Sequence, residues 1–446
     1  MAELVWKGKY RGGVRVEPRR DARRLRDDEL HGDAAAEAWR NQLVRGDQAH
    51  VLPGLLPHLA GQVALVCVDP PFDTGGAFTF RAAIPGAPEG APRLEVPAYH
   101  DARGLDSWLA WFAATASVLR DLLADGGSLY VHLDAHVAHY AKVVLDEVFG
   151  AAAFQREIVW RIGWVSGFKS RARGWIRNHD TILFYAKGGR PRTFHKEHIP
   201  YPPGYVRRDG ARPTGQGYPL EDVWNASELD RLDSIQIMSF SGEKVGYPTQ
   251  KNEALVSRIV RASSSPGDLV LDCFVGSGTT AVVAEKLGRR WIACDASPIA
   301  VHVTRKRLLA LPGLRPLVVQ SVAGAARRGP LAVPAPRKLS ARASVTGRSC
   351  TLELASFALP ARGLPAGARA SIRHWSQWIE GWCVDWDHRA GALRAGSRVW
   401  RGKGKEPLPL SLSHAYARPG RYVALVKVFD VLGGATTRQV RADVKR

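Results

Sequence analysis

Two short stretches hold residue types that could do chemistry together. The first is Asp69-Pro70-Pro71-Phe72, directly behind the apolar run VALVCV at 63–68. Two consecutive prolines fix φ and remove two backbone donors, so the turn is stiff and its carbonyls point outward. A carboxylate and an aromatic ring then hang on a rigid corner, able to accept hydrogen bonds and to stack on a planar ligand. Taken alone, the tetrapeptide also reads as an ordinary strand-ending turn. The second stretch is Asp272-Cys273-Phe274-Val275-Gly276-Ser277-Gly278-Thr279-Thr280. Gly276 and Gly278 permit a tight turn and a close approach of ligand to backbone. No Lys follows Gly278, which excludes a Walker loop, and the third glycine of the nicotinamide fingerprint is missing. Asp295 stands 23 residues beyond Asp272, where Rossmann-type sites place an acidic residue on the ribose hydroxyls of an adenosine-containing cofactor. A purely structural glycine turn is the alternative reading of this stretch.

Both stretches need a scaffold, and the flanking sequence supplies one. The run 63–68 reads as a buried parallel strand. Residues 73–103 are polar and rich in Gly and Pro, long for a loop and so functional or mobile. A helical period over 107–124 stops at Asp125-Gly126-Gly127, followed by a strand at 128–133 and a helix over 136–150 ended by Gly150. A strand at 180–187 precedes an irregular insert at 188–220. Then come a helix (251–263), a strand (268–274), a helix (280–288), a strand (289–295) and a last strand near 317–322. This alternation predicts an α/β fold with a doubly wound, Rossmann-like sheet. Beyond it, short strand-like runs at 371–378, 378–387, 408–416, 420–433 and 436–444 predict a C-terminal all-β sandwich.

The chain has 446 residues, enough for two or three compact units, each able to bury its own core. With 45% hydrophobic and 24% charged residues it has a globular composition rather than a disordered one. Lys and Arg number 63 against 42 Asp and Glu, a net +21 that makes a polyanion the leading partner, nucleic acid before an anionic membrane surface. No run approaches the ~18 apolar residues of a membrane span, and MAELVWKGKY lacks a signal-peptide core. The scattered Cys67, Cys273, Cys294, Cys350 and Cys383 form no CxxC pair. They read as reduced core residues of a cytosolic protein, without zinc. The excess charge is localised: residues 156–213 carry a net +9 and residues 346–446 a net +10. The arm 1–40 mixes both signs and reads as mobile or laid on the surface.

Together, these motifs resemble the amino-methyltransferases that modify exocyclic amines in DNA with S-adenosylmethionine. Asp69-Pro70-Pro71-Phe72 resembles their catalytic motif and Asp272 to Thr280 their methionine-binding loop. Tyr247-Pro248-Thr249-Gln250-Lys251 resembles the segment preceding that loop. The catalytic motif comes first and the cofactor loop about 200 residues later, the order of the β group, which includes the Mod subunits of type III systems. Stretches 43–56, 131–150, 178–188 and 222–224 agree, so the resemblance covers roughly residues 40–310. Departures are Phe72 where Tyr is commoner, Asp73 where Asn is common, and Asn252 where Pro is usual. The C-terminal region resembles PKD-like, immunoglobulin-like sandwiches.

The resemblance implies a site-specific DNA methyltransferase acting on adenine N6. Cytosine N4 is the runner-up, and a non-catalytic DNA-binding subunit of a modification or defence complex is the alternative from another class. Asp69 and the Pro70 carbonyl would accept from the target amine, with Pro71 stiffening the turn and Phe72 stacking on the flipped base. Asp272, Phe274, Gly276, Ser277, Gly278, Thr279 and Asp295 would hold S-adenosylmethionine, with Thr249, Gln250 and Lys251 nearby; no metal is implied. Lys169, Arg171, Arg173, Arg177, Arg207 and Arg208, interleaved with aromatics, would bind double-stranded DNA. The expected organisation is an arm (1–40), a methyltransferase domain (41–322), a linker (323–345) and a sandwich (346–446). Within the methyltransferase domain lie a catalytic half (41–160), a recognition insert (about 160–245) and a cofactor half (246–322). A homodimer and restriction or defence subunits stay open as partners, no membrane is expected, and the location implied is the cytoplasm, on the nucleoid when bound to DNA.

Overall fold

The structure, a computed structural model, describes residues 2–17, 20–32, 39–87, 93–161, 171, 173–225, 241–323, 338–359, 371–402 and 406–445. Its centre is an 11-stranded sheet. Starting from one edge, its strands are Val223–Trp224, Phe154–Arg161, His179–Ala186, Leu123–Leu133, Val63–Val68, Leu269–Asp272, Arg290–Asp295, Asn41–Arg45, Leu317–Val322, Leu25–His31 and Leu393–Arg394. The six strands from Leu123–Leu133 to Leu317–Val322 run parallel. The strands 63–68 and 269–272 are apolar almost throughout and buried, as parallel strands covered on both faces must be.

Helices cover both faces. Gln48–Leu59, Leu105–Leu122 and Ala138–Phe149 bury their apolar stripes in one core with Val66, Leu129 and Leu271. Glu253–Ser263, Thr279–Lys286 and Pro298–Leu309 contribute to the opposite core with Leu65, Val270 and Trp291. The local signals that start these helices are ordinary: Asp47 caps one through Ala49 N at 2.9 Å, Asn252 caps another through Leu255 N at 2.8 Å, and Pro298 opens a third.

Several expectations change. The segments 76–82 and 94–101 are no open loop: Gly76–Ala82 pairs antiparallel with Leu94–Asp101 as a hairpin, because alternate residues (Phe80, Ala82, Leu94, Val96, Ala98) bury one face. The N-terminal arm is partly built in, with Leu25–His31 paired to Leu317–Val322 and Lys9 bonded to Glu147 Oε2 at 2.6 Å. The C-terminal unit starts at Lys338 rather than 346, since Lys338–Thr346 pairs with Ser349–Ala358. The expected strand 371–378 is not a strand: after a bend it forms a short 3-10 turn, Trp375–Trp378, capped by His374. The other β runs form two sheets, 338–346/349–358/411–415 and 397–400/379–385/420–430/435–444, around buried Trp382, Val426 and Val428.

This sandwich is docked on the rest of the chain. Its core is continuous with Ile299, Ala300 and Val303 of the helix Pro298–Leu309 and with the apolar face of the 76–101 hairpin. Glu29, 1% exposed, accepts from Arg305 Nη1 at 2.6 Å and lies 2.8 Å from Lys427 Nζ of the sandwich. Lys306 pairs with Glu380. All five cysteines are buried and free. No helix among the described residues is long and apolar enough to cross a membrane.

Candidate active site

Strands Val63–Val68 and Leu269–Asp272 are parallel neighbours, so Asp69 and Asp272 emerge at the same edge of the sheet. The strand order diverges here, running from 63–68 to 123–133 on one side and from 269–272 to 290–295 on the other. Loops leaving such a switch point part from each other and open a crevice at the carboxyl ends, where open α/β sheets bind ligands.

Asp69 stands in that crevice between two partners. Its Oδ1 is 2.7 Å from His132 Nδ1, and its Oδ2 accepts from Lys251 Nζ at 2.5 Å. Burial alone would raise its pKa, but the Lys251 ammonium and then His132 outweigh burial and hold it at about 2. Burial, reinforced by Lys251, lowers the pKa of His132 against the pull of Asp69, so the imidazole is neutral at pH 7. Its Nε2 faces Asp180 Oδ2 at 3.3 Å, and its ring meets Phe72 and Trp160 edge-on with centroids 5.4 and 5.6 Å away.

The turn itself is clamped from outside. Pro70 is buried, and the Pro71 carbonyl accepts from Trp108 Nε1 at 2.7 Å. The Asp101 carboxylate accepts from Phe72 N at 3.2 Å, Asp73 N at 2.8 Å, Thr74 N at 3.2 Å and Thr74 Oγ1 at 2.9 Å. Asp73 has φ 57°, a left-handed conformation that Asp tolerates, and its Oδ1 accepts from Arg103 N at 2.6 Å and Gly104 N at 3.0 Å. Phe72 keeps one face toward Lys251, whose Nζ is 5.9 Å from the ring centroid.

The glycine loop fills the other side. Gly276 has φ 49° and Gly278 φ 86°; a Cβ on Gly278 would come within 2.9 Å of three Thr304 atoms, so the loop packs against the helix Pro298–Leu309. Asp272 Oδ1 accepts from Phe274 N at 2.9 Å, and Asp295 accepts from Gly276 N at 3.0 Å and Ser297 N at 2.8 Å. Burial raises Asp272 to about 7, with Thr280 and Phe274 opposing, and raises Asp295 to about 6, with the Ser297 and Gly276 amides opposing. Both carboxylates therefore gain from a ligand that brings a cation or hydroxyl donors. Phe274 lies 5.4 Å from Trp111, the Ser277 and Thr279 hydroxyls are 3.1 Å apart, and Thr279 Oγ1 donates to Lys251 O at 3.0 Å. Among the described residues no group of His, Cys, Asp and Glu could hold a metal ion.

Other sequence candidates occupy varied places. Thr249 has φ 58° and lies 3.3 Å from the Tyr99 hydroxyl. Gln250 holds its own segment, accepting from Val245 N at 3.0 Å and donating to Glu243 O at 2.8 Å. Lys251 sits on Asp69 and so joins the segment ahead of the glycine loop to the Asp69 turn. Lys169 lies outside the described residues. Arg171, Arg173, Arg207 and Arg208 are exposed, Arg207 within 3.5 Å of Asp209, whereas Arg177 pairs with buried Asp180 behind His132. Near Arg207 and Arg208, Tyr201 stacks on Tyr205 and meets Tyr218 edge-on. Sequence reasoning did not single out His132, Asp180, Asp101 or Trp108. His132 lies in the 131–150 stretch that carries the family resemblance, whereas Asp101 has no local signal at all.

A family model described as DNA methylase matches residues 63–306. The chain is 33% identical over 189 residues to the type II methyltransferase M1.MboII of Moraxella bovis, covering 39% of this chain and 69% of that protein. It is 27% identical over 304 residues to the type II methyltransferase M.EcaI of Enterobacter cloacae, covering 54% of this chain and 64% of that protein. Among solved structures it is similar to an M1.HpyAVI–SAM complex at 18% identity and a TM-score of 0.40, covering 60% of this chain and 99% of that one.

Proposed function

The chain belongs to the DNA methylase family, and on that premise we propose that it transfers a methyl group from S-adenosylmethionine to the exocyclic N6 amine of an adenine flipped out of double-stranded DNA. The observation that carries the reading is the ionised Asp69, held on a rigid turn across the switch point from the Asp272 to Thr279 loop.

The cofactor side fits such a ligand. Asp272 and Asp295 are carboxylates whose ionised forms are disfavoured by burial, suited to an ammonium and to ribose hydroxyls respectively. Gly276 and Gly278, both at positive φ, let the loop turn tightly with its backbone packed against Tyr247 and Thr304. When bound, S-adenosylmethionine supplies an electrophilic methyl on its sulfonium. The chain's own residues do the rest. An adenine inside a duplex must be extruded, at a cost of a few kcal/mol, and Phe72 offers a stacking face worth roughly 1–3 kcal/mol. Each carboxylate oxygen has two lone pairs, so Asp69 can accept from an amine N–H while keeping Lys251 and His132. With the Pro70 carbonyl as second acceptor, the amine nitrogen becomes more pyramidal and the positive charge developing on it is stabilised. The exposed Arg171, Arg173, Arg207 and Arg208, with the Tyr201, Tyr205 and Tyr218 cluster, supply phosphate contacts and groove or stacking contacts.

The test is transfer of labelled methyl to duplex DNA by the full chain, followed by digestion to nucleosides. N6-methyladenine is expected, and its absence beside N4-methylcytosine would move the target to cytosine. Cofactor binding without transfer, unchanged by Asp69→Ala, would favour the non-catalytic DNA-binding subunit.

A further inference from the structure

Four donors from three consecutive residues of the catalytic turn converge on one carboxylate, Asp101, which is 2% exposed. Asp101 is the last residue of the strand Leu94–Asp101. The hairpin that carries it hides its apolar face, Phe80, Ala82, Ile84, Leu94, Val96 and Ala98, in the same core as the C-terminal sandwich. A direct polar link reinforces that packing: Gln377 Nε2 of the sandwich donates to Pro85 O at 2.7 Å, while Gln377 Oε1 accepts from Arg373 N and His374 N at 2.7 and 2.9 Å. A second link leaves the same strand toward the cofactor half, from the Tyr99 hydroxyl to Thr249 Oγ1 at 3.3 Å.

An isolated two-stranded hairpin is marginal in water. Among the described residues its strands pair with no other strand, so its order comes from the surface it lies on. On one side that surface is a core built jointly by the sandwich, which bonds Pro85 O through Gln377, and by Tyr247 with Ile299, Ala300 and Val303 of the helix Pro298–Leu309. On the other side, the turn Phe72 to Thr74 has its backbone donors pointed at the hairpin's last residue.

We propose that the C-terminal sandwich is a buttress of the catalytic turn, with the 76–101 hairpin as the connecting element and Asp101 as the positioning residue that orients Phe72 and, through the turn, Asp69. The domain then contributes to turnover through the geometry of the turn rather than as a separate DNA-holding arm. This rests on the reading of Asp69 and Phe72 as catalytic, but its structural half can be measured without any reaction.

The experiment is hydrogen exchange on the full chain without DNA, followed over the segment 70–75, alongside steady-state methylation. Gln377→Glu keeps the acceptor for Arg373 N and His374 N but turns an oxygen toward Pro85 O; Asp101→Asn keeps one acceptor and loses the other. Both variants are expected to speed exchange at Phe72 to Thr74 by about tenfold. Both should lower kcat severalfold, with little change in KM for S-adenosylmethionine. Glu380→Gln, which cuts only the Lys306 pair elsewhere on the interface, is the control expected to leave segment 70–75 unchanged. If Gln377→Glu loosens residues 84–86 but leaves 72–74 protected, the sandwich does not reach the turn and the proposal is overturned. Unchanged exchange in Asp101→Asn overturns the positioning role. If no DNA is methylated by any form while the exchange coupling holds, the buttress stands and the enzymatic reading fails.

Discussion

Asp69 owes its ionisation to two neighbours that come from distant parts of the chain, His132 on the next strand and Lys251 ahead of the glycine loop. With a pKa at about 2, it stays charged across the working range, so kcat should show no acid limb from this group between about pH 4 and 9. Lys251→Met removes the cation beside Asp69 and leaves only the neutral His132, so it should raise the Asp69 pKa, bringing an acid limb into the kcat–pH profile; a flat profile in the variant would deny Lys251 that role. Asp272 behaves in the opposite sense. Burial lifts it to about 7, so lowering the pH neutralises the group proposed to face the cofactor ammonium. S-adenosylmethionine affinity should therefore fall by up to about tenfold per unit below that pKa, with proton release on binding near pH 6–7. Calorimetry in buffers of differing ionisation enthalpy measures that release, and Asp272→Asn should abolish most of it.

At the level of elements, the glycine loop and the helix following it are fitted to the helix Pro298–Leu309. Gly278→Ala puts a Cβ against Thr304 at a position with φ 86°, so strain and overlap combine. The expected loss is about 1–3 kcal/mol of stability together with weakened cofactor binding, read by denaturant unfolding and by calorimetry. Asn252 departs from the proline usual in the family pattern, and the structure supplies a reason: its side chain caps the helix Glu253–Ser263 through Leu255 N. Asn252→Ala should cost about 1 kcal/mol in a urea melt. The hairpin 76–101 shows how an element can be missed. Its sequence is polar and rich in Gly and Pro, yet alternate residues are apolar toward a face covered jointly by the sandwich, the helix Pro298–Leu309 and Tyr247.

At the scale of the molecule, the sandwich is held by a buried charge cluster as well as by apolar packing. Burial would raise the Glu29 pKa, but Arg305, Lys427 and His31 hold it well below the usual carboxylate range. A depressed carboxylate stabilises above its unfolded pKa and loses that contribution as pH falls through the folded one, so this clamp should release only in strong acid. Glu29→Ala leaves Arg305 and Lys427 buried without their anion and should cost about 3–5 kcal/mol, visible as a lowered melting temperature. The same docking alters the meaning of the net +10 in the tail. Lys427 is spent on Glu29, and Arg401 donates to Ile379 O at 2.8 Å and Ser376 O at 2.7 Å. Removing the tail should therefore cost folded protein, because Ile299, Ala300 and Val303 would be bared.

The α/β class, the strands at 63–68, 128–133, 180–187, 268–274, 289–295 and 317–322 with the helices between them, the two glycine- and proline-bearing turns and the β character of the tail were legible in the chain, whereas the strands Asn41–Arg45 and Phe154–Arg161, the helices Gln48–Leu59 and Pro298–Leu309 and the hairpin were not. Each legible feature depends on signals within about ten residues: apolar period, prolines, glycines and cap residues. The partners of the site were not legible for the opposite reason. Asp101 meets Thr74 across 27 positions of sequence, and Lys251 meets Asp69 across 182. Glu29 gathers Arg305 and Lys427 from two different units. Local pattern determined which carboxylate could do chemistry, while the tertiary structure alone decided which cation ionises it, which carboxylate clamps its turn, and that the tail belongs to the same body.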